Sequence, residues 1–312
     1  MTEASGSGAG PSTESGMRAP MGGPWTVLGM ILWSADYLRD KGIDTGRLDA
    51  EHLLASAVGV DRLGLYLAFE RPLTPAELDG YRPLLKRRAA REPLQYILGR
   101  QPFRELDLEV GPSVLIPRPE TEVLVDQILE AMRGDDAGGT ALDLGTGSGA
   151  IALSLAFEGS FASVVATDVD DAALDVARRN RDAAGLGERV ELRRGSLFEP
   201  LKRSERFDVI ASNPPYVGEM DEESLEPEVR DWEPRAALFA GADGLDVLRR
   251  IAVGACAHLR PGGLLGLEVG AGQARIVADW LESDGGYDEV KVTRDYTGRE
   301  RFVFARGARH GT

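Results

Sequence analysis

A glycine-rich turn between an apolar run and an amphipathic stretch is the first group of residues that could bind a ligand. Residues 142–150 read LDLGTGSGA, and Gly145, Gly147 and Gly149 allow a tight turn that brings a ligand close to the backbone. The helix predicted to follow presents unpaired N–H groups at its first turn, where a carboxylate is stabilised. Asp168 ends the next apolar run, and an acidic residue at that place commonly binds ribose hydroxyls. The pattern therefore predicts a site for a nucleoside-containing cofactor.

Three interpretations of this loop stay open on its residues alone. The loop fits an S-adenosylmethionine-dependent methyltransferase, yet Gly145, Gly147 and Ala150 also satisfy the G-x-G-x-x-G/A pattern of dinucleotide-binding enzymes. A purely structural turn is the third interpretation, with Asp168 as a helix N-cap or a solvated strand end. A Walker A loop is excluded because no Gly-Lys-Ser/Thr follows, and Asp143 is expected to brace the loop rather than to react.

The segment Asn213-Pro214-Pro215-Tyr216 is the second group with a chemical use. It follows the apolar run 207–211, and ligand sites of doubly wound sheets lie at the carboxyl ends of strands. The two prolines stiffen the backbone and remove two N–H donors, which leaves the Asn213 side-chain oxygen and the Pro214 carbonyl as rigid acceptors. Tyr216 adds a flat aromatic face.

These groups suit the methylation of a planar NH2 group. The lone pair of an amide or nucleobase nitrogen is delocalised, so two acceptors that bind its hydrogens favour lone-pair density toward an incoming methyl group. Orientation of this kind is worth up to ~7–11 kcal/mol, and the methylated nitrogen then loses its proton without a strong base. We therefore expect Asn213, Pro214 and Tyr216 to be catalytic and S-adenosylmethionine to be the cofactor. The structural alternative is a stiff loop capped by an asparagine.

The elements that must position these residues alternate between short apolar runs and amphipathic helices. Strands are predicted at Ala141–Leu144, Val164–Thr167, Val190–Arg193, Phe207–Ala211, Leu264–Val269, Val290–Thr293 and Arg301–Ala305. This alternation is typical of an α/β fold, a doubly wound seven-stranded class I methyltransferase sheet. The last two runs leave no room for a helix between them, so they are expected to be antiparallel neighbours.

The residues before this sheet predict a smaller helical unit. Residues 74–77 form a capping box with proline at the first helical position, and Pro83 predicts a kink or an early stop in that helix. A β-hairpin is expected to follow, with its turn at Gly111-Pro112 and Val114–Ile116 in its second arm. The expected organisation is a disordered Gly/Ser/Pro-rich tail at 1–23, a helical bundle at 24–92, a hairpin linker at 93–118 and the methyltransferase domain at 119–312.

Composition narrows the classes of partner. The 312 residues carry 36 Lys and Arg against 51 Asp and Glu, a net charge of −15, which repels a phosphate backbone and counts against a nucleic-acid substrate. Cys256 is the single cysteine, no histidine pair has the spacing of metal ligands, and no 18-residue apolar run occurs. We therefore expect a soluble cytoplasmic monomer without a metal or a membrane partner.

Several motifs together resemble the release-factor glutamine N5-methyltransferases, and the resemblance extends from residue 28 to residue 306. The motifs are PLQYILG at 93–99, LIPRPETE at 115–122, the glycine loop at 143–149, NPPY at 213–216 and DYTGRER at 295–301. The resemblance implies a two-domain enzyme whose helical domain recognises the substrate. The implied acceptor is the glutamine of the Gly-Gly-Gln motif in class I peptide chain release factors, and the implied role is in translation termination.

The resemblance also implies roles for particular residues. It implies cofactor contacts from Gly145, Thr146, Gly147, Ser148, Gly149, Asp168, Leu197, Phe198 and Asn213. It implies contacts with the substrate glutamine from Asn213, Pro214, Pro215 and Tyr216. Some members carry tryptophan near Leu197, so Phe198 or Leu197 is expected to pack against the adenine. Arg118 and Glu120 are expected to form a wall of the pocket, with a salt bridge at the domain junction as the alternative.

Two rival functions stay open. An N6-adenine nucleic-acid methyltransferase uses the same acceptor logic, but it usually needs a basic groove and a flipped base. A binding or chaperone module that keeps a cofactor fold without catalysis is the other, and the intact NPPY segment counts against it.

Overall fold

The computed structural model describes residues 24–133 and 138–309, and the chain divides into two compact units, Met1–Arg91 and Glu92–Thr312. The tail predicted at residues 1–23 lies outside the described residues. The first unit contains the helices α1 (Val27–Asp40), α2 (Gly46–Val58), α3 (Arg62–Leu67) and α4 (Pro75–Ala89). Its core contains the fully buried Leu38, Leu53, Leu54 and Tyr81.

Helix α4 shows why its start was predictable and its length was not. The Thr74 hydroxyl accepts from the Glu77 N–H while the Glu77 carboxylate accepts from the Thr74 N–H, so the expected capping box is confirmed. The expected early stop at Pro83 is wrong, because the helix continues to Ala89. A buried ion pair between Arg88 near its end and Asp49 of α2, 2.7 Å long, stabilises the turns that follow the proline.

The second unit begins with helix α5 (Leu94–Leu98) and an antiparallel hairpin of strands β1 (Arg100–Phe103) and β2 (Leu106–Glu109). The chain does turn at Gly111-Pro112, where the Val114 N–H donates to the Gly111 carbonyl, but this turn does not join the hairpin. The strands are joined through Arg104-Glu105, and the expected second arm at Val114–Ile116 is not a strand. Arg104 adopts a φ of 52°, and ion pairs of its guanidinium with Asp126 and Glu158 hold it there. This turn contains no glycine or proline, so the sequence carried no local signal for it.

A seven-stranded sheet forms the centre of the second unit, as the sequence predicted. Its strands are β3 (Thr140–Leu144), β4 (Ser163–Asp168), β5 (Val190–Arg194), β6 (Phe207–Ser212), β7 (Leu259–Glu268), β8 (Tyr287–Arg294) and β9 (Glu300–Gly307). They lie in the order β5-β4-β3-β6-β7-β9-β8, and β9 is antiparallel to both of its neighbours. The expected antiparallel pairing of the last two strands is therefore confirmed.

Helices cover both faces of this sheet. The longer ones are α6 (Pro119–Ala131), α7 (Ala150–Glu158), α8 (Asp171–Ala183), α11 (Asp246–Ala255) and α12 (Ala274–Asp284). Between β6 and α11 lie a 3-10 helix (Glu219–Ser224) and the short helices α9 (Pro227–Arg230) and α10 (Arg235–Leu238).

Strand β3 shows how the sheet separates two apolar cores. Ala141 packs in a core with residues of α6 and α7, whereas Leu142 and Leu144 pack in a second core with residues of α11 and α12. This alternation follows the two-residue period of a strand and explains the near-continuous apolar character of the central strands. The carboxyl ends of β3, β4, β6 and β7 consequently meet at one edge, where the polar residues are found.

Candidate active site

The glycine loop connects β3 to α7 and is held by the backbone of the neighbouring strand. The N–H groups of Gly145 and Thr146 both donate to the Thr167 carbonyl of β4. Gly147 has a φ of 54° and Gly149, the N-cap of α7, has a φ of 89°, a left-handed conformation that glycine adopts without strain. A Cβ at Gly149 would also lie 3.0 Å from Leu153, so side-chain packing and the backbone both require glycine there.

Asp143 braces this loop from below, as expected. Its fully buried carboxylate accepts from the Thr146 hydroxyl at 2.6 Å and from the Ala152 N–H at 3.1 Å, both through Oδ2. Burial raises the pKa of Asp143 to about 7, and these two donors oppose the shift. Asp143 therefore ties the strand, the loop and the first turn of α7 together.

Asp168 ends β4 beside the loop. Its Oδ2 accepts from the Gly147 N–H at 2.8 Å and its Oδ1 accepts from the Asp170 N–H at 3.0 Å. Burial raises the pKa of Asp168, whereas these backbone donors lower it. A carboxylate has about four acceptor positions, so two further hydroxyl groups fit the same side chain.

The two residues expected to pack against an adenine lie on different surfaces. Leu197, with a φ of 52°, lines the cavity at this edge, and its carbonyl accepts from the Thr167 hydroxyl. Phe198 does not line the cavity, because its ring stacks on His258 with 5.3 Å between centroids and packs against Gly254 of α11. Of the two, the structure favours Leu197.

The NPPY segment follows β6, the central strand, as the sequence predicted. The Asn213 Nδ2 group donates to the Thr121 hydroxyl of α6 at 2.9 Å, while its Oδ1 is buried and has no hydrogen-bond partner. Buried acceptors without a partner are rare in folded proteins, and leaving one unpaired costs about 1–3 kcal/mol. An oxygen in this state is suited to accept from an N–H group of a ligand.

The other residues of this segment divide between the cavity and its support. Pro215 lines the cavity and Pro214 is buried behind it. The Tyr216 hydroxyl donates to Glu268 at 3.3 Å, and its ring lies under the Arg301 guanidinium, 5.9 Å from the centroid. Burial raises the pKa of Tyr216, so the phenol stays protonated and acts as a donor. Tyr216 does not line the cavity, so the structure provides no contact that would place its ring on a substrate.

A cavity of about 250 Å³ joins these elements. The residues expected in the site that line it are Gly145, Thr146, Gly147, Ser148, Asp168, Leu197, Asn213 and Pro215. The expected residues that do not line it are Gly149, Phe198, Pro214, Tyr216, Arg118 and Glu120. Since Asp168 and Asn213 both contribute to it, the cavity connects the glycine loop with the acceptor segment.

Arg118 forms the salt bridge that was the alternative for it. Its guanidinium lies 2.6 Å from the buried carboxylate of Glu233, and burial raises the pKa of Glu233 while Arg118 lowers it. Glu120 is half-buried in the first turn of α6. Neither residue lines the cavity.

Three residues of the site were missed by the sequence interpretation. Thr121 lines the cavity beside Asn213 and donates to the buried Glu268, and Asn180 of α8 donates to the Ser148 carbonyl of the glycine loop. Glu268 had a signal, because a carboxylate that directly follows the apolar run 264–267 ends a buried strand. Thr121 and Asn180 are ordinary helix residues whose contacts arise only from packing.

Across residues 24–133 and 138–309, no helix has the length and apolar character needed to cross a membrane. The same residues contain no cluster of three or more His, Cys, Asp or Glu side chains arranged to hold a metal ion.

Comparison with known proteins places the chain in a family. The PrmC N-terminal domain matches residues 30–99 and the Methyltransferase small domain matches residues 119–226. The hMettl16 catalytic domain in complex with MAT2A 3′UTR hairpin 6 has 18% sequence identity and a TM-score of 0.54, over 73% of this chain and 82% of that chain. At this identity the structural likeness concerns the fold alone.

Two curated relatives share much more of the sequence. The release factor glutamine methyltransferase of Geobacter sulfurreducens is 48% identical over 282 residues, which cover 90% of this chain and 97% of the relative. That of Rhodopirellula baltica is 38% identical over 283 residues, 90% of this chain and 96% of the relative. The fold, the glycine loop, the NPPY segment and this identity over nearly the full length agree, and the chain belongs to the release factor glutamine methyltransferase family.

Proposed function

We propose that this protein transfers a methyl group from S-adenosylmethionine to the side-chain amide nitrogen of the glutamine in the Gly-Gly-Gln motif of peptide chain release factors. The observation that carries the proposal is the buried, unpartnered Oδ1 of Asn213, a residue that lines a cavity shared with the glycine loop. A neutral amide NH2 group is the kind of donor that this neutral acceptor suits. The relatives named release factor glutamine methyltransferase support the choice of acceptor.

The residues of the glycine loop and of β4 fit the cofactor. The loop backbone at Gly145–Ser148 and the carboxylate of Asp168 line one end of the cavity, and Leu197 supplies an apolar wall for a base. S-adenosylmethionine, when bound, supplies an electrophilic methyl group on a sulfonium. The carboxylate of Asp168 retains acceptor positions for ribose hydroxyls after it has bonded Gly147 and Asp170.

The acceptor residues act by orientation. Asn213 Oδ1 accepts one hydrogen of the glutamine amide, which holds its nitrogen toward the methyl group. The carbonyl of Pro214, a residue buried behind the cavity lining, is proposed to accept the other hydrogen. Bound S-adenosylmethionine would supply the methyl carbon to this nitrogen and would leave as the thioether, and the methylated nitrogen would then lose one proton. The stiff proline pair keeps the acceptors in place without reorganisation during the reaction.

The same proposal assigns the protein's partners and place. Release factors act on ribosomes, so the reaction belongs to the cytoplasm, and the helical unit is proposed to bind the release factor around its Gly-Gly-Gln motif. The protein is proposed to act as a monomer.

The direct test is incubation of the protein with radiolabelled S-adenosylmethionine and one of three acceptors. These are a release factor, its Gly-Gly-Gln variant with Gln→Ala, and adenine-containing DNA. We expect label on the first acceptor alone, and mass spectrometry should place a single methyl group on the motif glutamine. Label on DNA with none on the release factor would contradict the proposal.

A further inference from the structure

Behind Asn213 lies a chain of two buried hydrogen bonds that the catalytic assignment does not use. Asn213 Nδ2 lies 2.9 Å from Thr121 Oγ1, and Thr121 Oγ1 lies 2.7 Å from Glu268 Oε2. Thr121 is 3% exposed and Glu268 is 1% exposed, so water does not compete for either group. The chain connects α6, the end of β6 and the end of β7.

The number of hydrogens available to these two hydrogen bonds fixes which group donates in each of them. A hydroxyl has one hydrogen, and an ionised carboxylate can only accept, so Thr121 donates its hydrogen to Glu268. The Thr121 oxygen then has only lone pairs left for Asn213, and these accept only from the nitrogen of the carboxamide. The nitrogen of Asn213 must therefore face Thr121 on α6, and its oxygen is left on the other side of the carboxamide as an acceptor without a partner.

We propose that Thr121 and Glu268 are positioning residues that lock the Asn213 carboxamide with its oxygen toward the acceptor amide. The inference rests on the proposed function only for the identity of the acceptor, because the lock itself is a property of the unliganded protein. With the carboxamide reversed, an NH2 group would face the NH2 group of the substrate, and two donors cannot bond each other. The orientation of one amide thus decides whether the site accepts its substrate.

The direction of these two hydrogen bonds depends on the charge of Glu268. A protonated Glu268 can donate to Thr121, which frees the Thr121 hydrogen for Asn213 Oδ1 and permits the reversed carboxamide. Burial raises the pKa of Glu268 to about 7, Thr121, Arg301 and Tyr216 oppose this, and Glu120 adds to it. Methyl transfer is therefore expected to fall as the pH decreases through about 7.

The orientation is measured directly by NMR of the side-chain NH2 groups in the 15N-labelled full chain. The Asn213 pair is assigned by its loss in Asn213→Asp. In the wild type, one of its two protons should be shifted and exchange slowly, because it is bonded to Thr121. Thr121→Val should abolish this signature and Thr121→Ser should retain it.

A matched control distinguishes loss of the Thr121–Glu268 lock from a general loss of packing. The Thr293 hydroxyl of β8 donates to Gln127 of α6 at 2.7 Å, so Thr293→Val removes another threonine bond that ties this helix to the sheet. The control should leave the Asn213 pair unchanged. An Asn213 pair that is identical in the wild type and in Thr121→Val would overturn the inference.

Enzyme kinetics on the same variants are the second arm of the test. Thr121→Val should lower kcat about 100-fold, the loss that a small misplacement of a reacting group produces, while affinity for S-adenosylmethionine stays unchanged. Thr121→Ser should restore most of kcat. Glu268→Gln should lower kcat and remove its fall on the acid side of pH 7, which a purely structural role would not do.

The two arms distinguish the inference from the proposed function. If the wild-type protein methylates the release factor and Thr121→Val retains full activity, the positioning role of Thr121 and Glu268 is refuted and the proposed function is not. A wild-type protein that methylates no release factor refutes the proposed function alone, and the NMR comparison then still decides whether the carboxamide is locked.

Discussion

The Asn213 carboxamide combines a satisfied nitrogen with an unsatisfied oxygen. Its oxygen has little of the solvation that an exposed amide has, and it gains a full hydrogen bond when a donor arrives. Such preorganised acceptors stabilise a transition state because they need no rearrangement as the reaction proceeds. The cost of leaving the oxygen unpaired is carried by the surrounding fold.

Asn213→Ala is expected to lower methyl transfer by about 10²–10³-fold, because the variant loses an oriented acceptor at the reacting nitrogen. Affinity for S-adenosylmethionine should weaken but stay measurable by calorimetry, since the glycine loop and Asp168 are unchanged. The control is Ser212→Ala, one residue before Asn213, which removes a buried hydrogen bond to the Leu144 carbonyl. Unchanged turnover in Asn213→Ala would refute the role of this side chain.

Asp143 gives a prediction on the pH dependence of stability. Its pKa is about 7 in the folded chain and about 4 when unfolded, so the folded state binds the extra proton between these values. The free energy of unfolding should therefore include a contribution from Asp143 that decreases as the pH rises from about 4 to about 7.

Asp143→Asn tests this contribution, because asparagine keeps an acceptor for Thr146 and Ala152 and does not titrate. Urea unfolding at pH 5 and pH 8 should show a smaller difference in free energy between the two conditions in the variant than in the wild type. Glu268 shifts in the same direction but is common to both proteins, so it cancels. An equal pH response in both proteins would contradict the assignment.

At the scale of elements, α8 connects the hairpin to the glycine loop. Asn180 donates to the Ser148 carbonyl and the Glu109 carbonyl and accepts from the Glu109 N–H at 2.7 Å. It is 4% exposed, so no solvent replaces these partners. The position of the cofactor loop therefore depends on strand β2, although more than thirty residues separate them along the chain.

Asn180→Leu is expected to lower the free energy of unfolding by about 1–3 kcal/mol, because it leaves buried backbone groups unpaired. Affinity for S-adenosylmethionine should fall with it, since Ser148 lines the cavity. The matched control is Arg179→Ala, the preceding residue, whose solvent-exposed ion pair with Glu109 is expected to contribute little to stability. Equal effects of the two variants in urea unfolding and calorimetry would argue against the connection.

At the scale of the whole molecule, the division into Met1–Arg91 and Glu92–Thr312 separates two proposed tasks. All residues that line the described cavity belong to the second unit. The first unit has its own buried core, and its short helix α3 exposes Leu63 and Leu67, which are 63% and 83% accessible. A unit of this kind is suited to bind a protein partner.

A chain that begins at Glu92 is expected to bind S-adenosylmethionine with the affinity of the full chain and to lose most methylation of the release factor. Because the missing unit is proposed to bind the release factor, the lost activity should appear as a raised KM for the release factor. Calorimetry measures the first quantity and initial rates measure the second. Undiminished methylation by the shortened chain would show that the first unit does not recognise the substrate.

The sequence by itself determined the local features of this protein. Short apolar runs predicted the seven strands, the glycine spacing predicted the turn at 145–149, and the Thr74–Glu77 pair predicted the start of α4. These features follow from backbone geometry and short-range hydrogen bonds, which depend on residues close together in the chain. The sequence also placed the NPPY segment directly after β6, whereas its role as an acceptor stays a prediction.

Only the tertiary structure decided which side chains meet. The turn at Arg104 is held by ion pairs with distant carboxylates, and Phe198 is drawn away from the cavity by His258 and Gly254. Thr121 and Glu268 are 147 residues apart, yet they define which way Asn213 points. Such contacts depend on packing between elements, and a linear pattern holds no record of the partner that a buried polar group will find.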